Sequence, residues 1–198
     1  MNYIGAAPEM IIIIIGLLVI AIVKRKYVYG IIALFILCAI LYFYRGANIP
    51  SLHPNTIISP AEGRILKIVK HEDAYQVAIF LNIHNIHVQY SPIDGKIVSM
   101  KYKSGTFKPA YLFEKSQYNE RLETTMDTKV GRVMVVQLAG LIARTIVPFK
   151  EIGDDLKQGE PMGLIKFGSR VDLWIPTSTK LKVREGEKIK IGEIIAAY

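Results

Sequence analysis

The sequence predicts a mainly β protein, a lipoyl-like β-sandwich domain of pseudo-duplicated units, preceded by an N-terminal helical hairpin suited to a membrane. Three observations lead there. Short apolar runs alternate with turn signals from Ile57 to the C-terminus. One proline-acid-glycine turn occurs twice in the same setting. The first 44 residues are strongly apolar, with their only charges at Glu9 and Lys24-Arg25-Lys26.

In chain order, the hairpin comes first. One apolar run extends from Met10 to Val23 and includes Ile11 to Ile15 in succession; a second, Tyr27 to Tyr44, carries no charge. Crossing the hydrocarbon core takes about 20 residues, a length the first run reaches only with Tyr3 to Glu9 included. The basic residues follow the first apolar run instead of preceding it, which argues against a cleaved signal peptide. Residues 1–46 are therefore expected to anchor the chain in the cell membrane, with Tyr27, Tyr29, Tyr42, Phe43 and Tyr44 as interfacial aromatics. The positive-inside rule places Lys24-Arg25-Lys26 in the cytoplasm and sends the body outside, whereas Arg45 and the basic body favour the cytoplasmic face. A shallow, in-plane hairpin reconciles the two, and the cytoplasmic face is the expected location.

The 198 residues allow one domain of ordinary size beyond this appendage. The net charge of +8 suits an anionic partner; a membrane surface is expected and nucleic acid is not. Cys38 is the only cysteine, so an intrachain disulfide and cysteine-based zinc sites are excluded, and no metal is expected.

Residues 46–56, with two prolines and Gly46, read as a linker into a domain of residues 47–198. Strands are expected at Ile65–Val69, Tyr75–Leu81, Ile97–Lys101, Arg132–Leu138, Leu141–Val147, Leu181–Val183 and Ile194–Ala197, and one helix near Pro109–Ser116. The repeated turn is Ser59-Pro60-Ala61-Glu62-Gly63-Arg64-Ile65, matched by Ser91-Pro92-Ile93-Asp94-Gly95-Lys96-Ile97. Near the end, Gly186 and Gly192 flank a short strand, a turn-strand pattern common in lipoyl-like sandwiches.

Gly163 to Asp172 reads as a strand with Gly168 and Ser169 in its middle, where neither helps a strand. A bulge would explain the pair; so would a site where a hydroxyl stands beside an accessible peptide bond. His84 and His87 lie in Leu81 to Tyr90, read as a strand. Residues three apart on a strand face opposite sides, so one imidazole, not two, is the candidate for acid–base work. His53 and His71 sit in polar surroundings and read as surface residues. Glu62 and Asp94 either close their turns through backbone hydrogen bonds or carry chemistry. Asn119-Glu120-Arg121 and Arg144, after Gln137-Leu138-Ala139-Gly140, are candidates for holding an anionic head group; surface ion pairs are the alternative.

Taken in order, these segments resemble the phosphatidylserine decarboxylase family, in particular its short pyruvoyl-dependent type of archaea and some bacteria. They are Ser59 to Gly63, Asn85 to Val88 with Pro92 to Gly95, Gly105-Thr106-Phe107, Asn119 to Arg121, Gln137 to Gly140 with Ala143-Arg144, and Gly163 to Asp172. The resemblance implies that the precursor cuts itself. Ser169 Oγ would attack the Gly168 carbonyl to give an ester; elimination would leave dehydroalanine at 169, which becomes a covalent pyruvoyl group. The products would be a β chain of residues 1–168 and an α chain of residues 169–198. The pyruvoyl ketone would then serve as electron sink while the serine head group of a phospholipid, diacyl or archaeal ether, loses CO₂. By the same resemblance Ser169, His87 and Glu62 are the catalytic residues, and Arg144, Arg121 and Asn119 contact substrate. A homodimer is also allowed. Glu62 stands where the family usually has aspartate, and Tyr90 where its longer bacterial type has a second histidine. The alternatives are a membrane-tethered lipoyl-like adaptor, which lacks its lysine-bearing turn here, and a lipid-binding pseudo-enzyme that does not process.

Overall fold

In the computed structural model, which describes residues 8–23, 27–49, 54–141, 145–166 and 169–198, the apolar runs after Ile57 become antiparallel strands. They are β1 (Thr56–Ile58), β2 (Gly63–Lys70), β3 (Ala74–Leu81), β4 (Val88–Tyr90), β5 (Gly95–Lys103), β6 (Arg121–Thr128), β7 (Gly131–Leu138), β8 (Ile146–Pro148), β9 (Asp155–Leu156), β10 (Pro161–Ile165), β11 (Ser169–Pro176), β12 (Lys180–Leu181), β13 (Lys188–Ile189) and β14 (Ile194–Ala197). Eight of them form one curled sheet in the order β13-β2-β3-β11-β7-β6-β5-β9; β1-β14-β12 and β4-β10-β8 form two small sheets. Residues two apart on a strand share a face. Val77, Ile79 and Leu81 of β3, Val133 and Val135 of β7, and Val171, Leu173 and Ile175 of β11 accordingly enter one buried core.

The repeated turn folds the same way twice. Ser59 Oγ donates to the Ala61 carbonyl at 2.7 Å, and Ser91 Oγ to the Ile93 carbonyl at 2.8 Å. Each turn leads into a long strand with a register shift at the same place, between Ile65 and Lys67 in β2 and between Ile97 and Ser99 in β5. The copies are also joined reciprocally: the Ile58 amide donates to the Pro92 carbonyl and the Tyr90 amide to the Pro60 carbonyl, both at 3.0 Å. They differ in one respect. β6 and β7 form a tight hairpin, Thr128 opposite Gly131. Their counterparts β3 and β11 pair Leu81 with Ser169, and the whole second unit runs between those two residues.

Several sequence expectations change. The stretch from Gly163 to Asp172 is two strands in two sheets: β10 pairs with β4 and β8, while β11 enters the large sheet. Ser169 is the first residue of β11, and β10 has already ended at Ile165. Leu81 to Tyr90 is not one strand, because an asparagine turn, with the Asn82 amide donating to Asn85 Oδ1 at 2.9 Å, ends β3. The opposite-faces argument for His84 and His87 therefore lapses. Of the expected strand at Leu141–Val147, Ile146 and Val147 fall in β8 while residues 142–144 lie outside the described residues, and the helix at Pro109–Ser116 shortens to the single turn α3, numbered third in the chain (Phe113–Ser116). β6 has no counterpart among the expectations.

The chain divides into two compact units, Met1–Ala47 and Asn48–Tyr198. The first contains α1 (Pro8–Val23) and α2 (Tyr27–Phe43), of 16 and 17 residues. At about 1.5 Å per residue they measure roughly 24–26 Å against about 30 Å for the hydrocarbon core. No described helix is long and apolar enough to cross a membrane. Lys24-Arg25-Lys26 and His53 lie outside the described residues.

Candidate active site

Three residues from the first turn and the loop after β3 are hydrogen-bonded in series. Glu62, at the end of the turn into β2, accepts from Asn85 Nδ2 at 2.6 Å. The Asn85 Oδ1 is already taken by the Asn82 amide, which fixes the orientation of the carboxamide. The Asn85 carbonyl in turn lies 2.8 Å from His87 Nδ1. A carbonyl can only accept, so Nδ1 carries a hydrogen and the lone pair of the neutral ring is on Nε2. His87 is fully buried, and its own carbonyl accepts from Gln89 Nε2 at 2.7 Å and from the Ile165 amide at 3.1 Å. The histidine is thus held by side chain and backbone at once. Asn85 is the member that residue-by-residue reading did not single out; its spacing from Asn82, typical of an asparagine turn, was the available signal.

Ser169 is the first residue of β11. Its side chain is buried, and its Oγ has no hydrogen-bond partner among the described residues. Leaving a buried hydroxyl unpaired costs about 1–3 kcal/mol, so such a group calls for a reason beyond packing. A second unpaired oxygen stands on the same face. Gln137 of β7 lies opposite Val171, two residues along β11 from Ser169. Its Nε2 donates to Gln89 Oε1 at 2.7 Å, while its Oε1 is buried without a partner among the described residues. A polar chain therefore runs from Gln137 through Gln89 to the His87 carbonyl. Gly163 makes room for it: a Cβ there would fall 2.9 Å from Gln137 Nε2 and 3.0 Å from the Val147 carbonyl.

The register relates these groups. Arg64 and Arg170 both face Phe80, and Ser169 faces Leu81, so Gly63 and Ser169 flank β3 near its last residue. Two strand spacings separate them, about 10 Å. Beside Gly63 a cleft of about 500 Å³ is lined by Glu62, Arg64, His84, Asn85, Lys188 and Lys190. His84 is exposed there, whereas His87 is buried.

The other candidates lie elsewhere. Arg121 shares a cross-strand row with Leu138 and Arg170, on the opposite face of the sheet from Ser169. It donates to Glu123 Oε1 at 2.9 Å and to the Gln117 carbonyl at 3.2 Å. Asn119 is buried and brackets a loop: it accepts from Thr106 Oγ1 and the Lys108 amide, and donates to the Lys108 and Ala139 carbonyls. Arg144, Phe167 and Gly168 lie outside the described residues. Asp94 accepts from the Gln158 backbone amide at 2.7 Å and so joins its turn to the loop before β10. His71 stacks on Trp174 with ring centroids 4.6 Å apart.

Arg170, next to the serine, is a group the sequence did not flag. It is buried and bonds Asp172 in bidentate fashion, Nε to Oδ1 and Nη2 to Oδ2, each at 2.8 Å. Its Nη1 donates to Ser116 Oγ at 2.6 Å and to the Phe113 carbonyl at 2.9 Å, fastening α3 to the sheet. Burial pushes the Asp172 carboxyl up, and the Arg170 guanidinium only partly offsets it.

Comparison with known proteins matches this arrangement to one family. The family profile described as phosphatidylserine decarboxylase fits residues 37–197. The chain is 41% identical over 165 residues to the phosphatidylserine decarboxylase proenzyme of Desulfotalea psychrophila, covering 78% of this chain and 77% of that one. It is 38% identical over 165 residues to the proenzyme of the same description from Xanthobacter autotrophicus, covering 78% and 71%, and 36% identical over 170 residues to that of Burkholderia vietnamiensis, covering 82% and 79%. With the profile spanning most of its length and relatives this similar, the chain belongs to the phosphatidylserine decarboxylase family.

Proposed function

We propose that this chain is a proenzyme that cuts itself between Gly168 and Ser169 and then decarboxylates a serine phospholipid to the ethanolamine lipid. The observation that carries the reading is Ser169 itself, buried at the start of β11 with its Oγ unpaired among the described residues, in a chain whose relatives are proenzymes. Cleavage there yields chains of residues 1–168 and 169–198. The Ser169 hydroxyl is the nucleophile once, attacking the preceding carbonyl. Glu62, held by Asn85 Nδ2, supports that step. The residue left at 169 is the origin of a pyruvoyl group, which supplies an electron sink for the carbanion formed as CO₂ departs.

The protein's own groups do the rest. His87, with its Nδ1 hydrogen committed to the Asn85 carbonyl, exchanges the proton at Nε2. The buried core around Val171 and Leu81 keeps water from the reacting carbon. β11 is paired on both sides, by β3 and β7, so the α chain stays in the sheet after cleavage. Arg121 and Asn119 take structural parts on the geometry described, and Arg144 remains the candidate for the anionic head group. The two related turn-strand units retain the lipoyl-like pattern.

Membrane attachment through α1 and α2 completes the proposal. Both helices are apolar on every side, with Ile12, Ile22 and Phe35 exposed, and a helix of that kind needs an apolar environment. Their lengths favour a shallow hairpin over a crossing one, with the catalytic unit on the cytoplasmic face. Release of CO₂ from carboxyl-labelled phosphatidylserine tests the activity. The wild-type chain is expected to release it. His87→Gln is expected to be cut normally yet to lose about 10²–10⁴-fold in turnover. No release by a fully cut wild-type chain would overturn the reading.

A further inference from the structure

The end of the sheet that holds Ser169 differs in surface character from the opposite end. β3 ends at Leu81, β7 at Leu138 and β5 at Lys103, while β11 begins at Ser169. The register places Leu81 opposite Ser169, Arg170 opposite Leu138, Leu138 opposite Arg121 and Arg121 opposite Lys103. The segments after β3, β7 and β5 therefore all leave the sheet at this end. Each presents a large apolar side chain to solvent: Ile83 at 59% exposure, Leu141 at 58%, and Tyr111 and Tyr118 at 57% and 67%. These tips sit on separate loops, so they form protruding points, not a groove.

Cations surround them. Lys108 and Lys115 are exposed on the same loop as the two tyrosines, and Arg64, Lys188 and Lys190 are exposed along the neighbouring strands. Of the acids on the tyrosine loop, Glu114 is engaged by Lys67 and Glu120 by the Tyr102 hydroxyl. The opposite end carries Asp73, Asp94, Asp127, Asp154 and Asp155 among basic residues of its own, with Asp127 paired to Arg132 and Asp94 to Lys157; the remaining aspartate, Asp172, is buried.

We infer that this end of the β unit, presenting Ile83, Tyr111, Tyr118 and Leu141 among exposed lysines and arginines, docks directly on an anionic lipid surface. Apolar and aromatic tips enter the interface while long basic side chains reach the head groups, and the gathering of the four tips at one end sets the orientation. The inference rests on the proposed lipid substrate and adds to it. The cleft beside Glu62 and the start of β11 then face the bilayer, so a serine head group reaches the site without leaving the membrane.

The test uses the full-length chain bearing Ser169→Ala, which cannot be cut, so the result is independent of processing. Trp174→Phe removes the only tryptophan, and one new tryptophan is introduced as Tyr118→Trp or, at the opposite end, Ile152→Trp. Each protein is bound to phosphatidylglycerol–phosphatidylcholine vesicles with brominated acyl chains. The tryptophan at 118 is expected to be quenched at least about twofold and the one at 152 hardly at all, with quenching at 118 falling when the anionic lipid is omitted. Because Trp174 stacks on His71, the comparison is repeated with a bimane label on Tyr118→Cys or Ile152→Cys in a Cys38→Ser chain. Equal quenching at both positions, none at 118, or no binding to vesicles overturns the inference. Failure of the decarboxylase reading shows separately, as a wild-type chain that releases no CO₂.

Discussion

The two copies of the proline-acid-glycine turn share a fold and differ in what their acid does. Both close through a serine hydroxyl bonded to the carbonyl two residues on, both lead into a strand with the same register shift, and each hydrogen-bonds the strand before the other. Yet Asp94 accepts the Gln158 backbone amide and ties its turn to the loop before β10, whereas Glu62 reaches across to Asn85, whose carbonyl holds the His87 ring. The difference follows from topology. In the second unit β6 and β7 are joined by a tight turn, so no long segment leaves the sheet between them. In the first, β3 and β11 are separated by the whole second unit, and their paired ends, Leu81 and Ser169, begin and finish a long excursion. That break frees Asn85 and His87 to gather beside Glu62 and leaves Ser169 as a strand's first residue. Duplication supplied the framework, and the split in one copy supplied the site.

The sharpest way to break this comparison is to remove each acid in turn. Glu62→Ala is expected to slow conversion of freshly translated precursor at least about 100-fold, because it removes the carboxylate that supports the attack by Ser169. Asp94→Ala, which loses one backbone hydrogen bond, is expected to change conversion by less than about twofold while lowering stability by about 0.5–1.5 kcal/mol. A time course of chain cleavage on denaturing gels reads both. If the two variants slow cleavage equally, the division of labour between the turns is wrong.

A smaller effect sharpens the account on the other side of the site. Gly163→Ala puts a methyl group 2.9 Å from Gln137 Nε2 and 3.0 Å from a backbone carbonyl that cannot retreat. Urea unfolding in the uncut Ser169→Ala chain should show a loss of about 1–3 kcal/mol. A neutral result would mean that the Gln137–Gln89 chain adapts freely and does not hold His87.

Much of the fold was legible because burial in a sheet writes a period of two. β3 and β7 stand out by their valines and isoleucines, and the duplicated turn by its proline and glycine. β6 did not, since Leu122, Thr124 and Met126 alternate with Glu123 and Thr125, and threonines on both faces blur the pattern. The stretch around Gly168-Ser169 was recognisable as an oddity, but local composition cannot distinguish a bulge within one strand from a crossing between two sheets. The same limit hid the chain from Glu62 to His87. It depends on an asparagine turn ending β3, and a turn of that kind inside Leu81 to Tyr90 competes with a perfectly good strand pattern. Arg121 and Asn119 looked like head-group ligands by residue type, whereas their partners are Glu123 and a loop backbone, which only the fold brings near.

Self-cleavage before Ser169 is the claim on which the rest depends, and the mass of the purified chain under denaturing conditions tests it most directly. The account predicts two chains, residues 1–168 and a blocked 30-residue chain of residues 169–198, with Ser169→Ala remaining a single chain of 198 residues. A wild-type protein that stays whole, indistinguishable in this respect from Ser169→Ala, would contradict it.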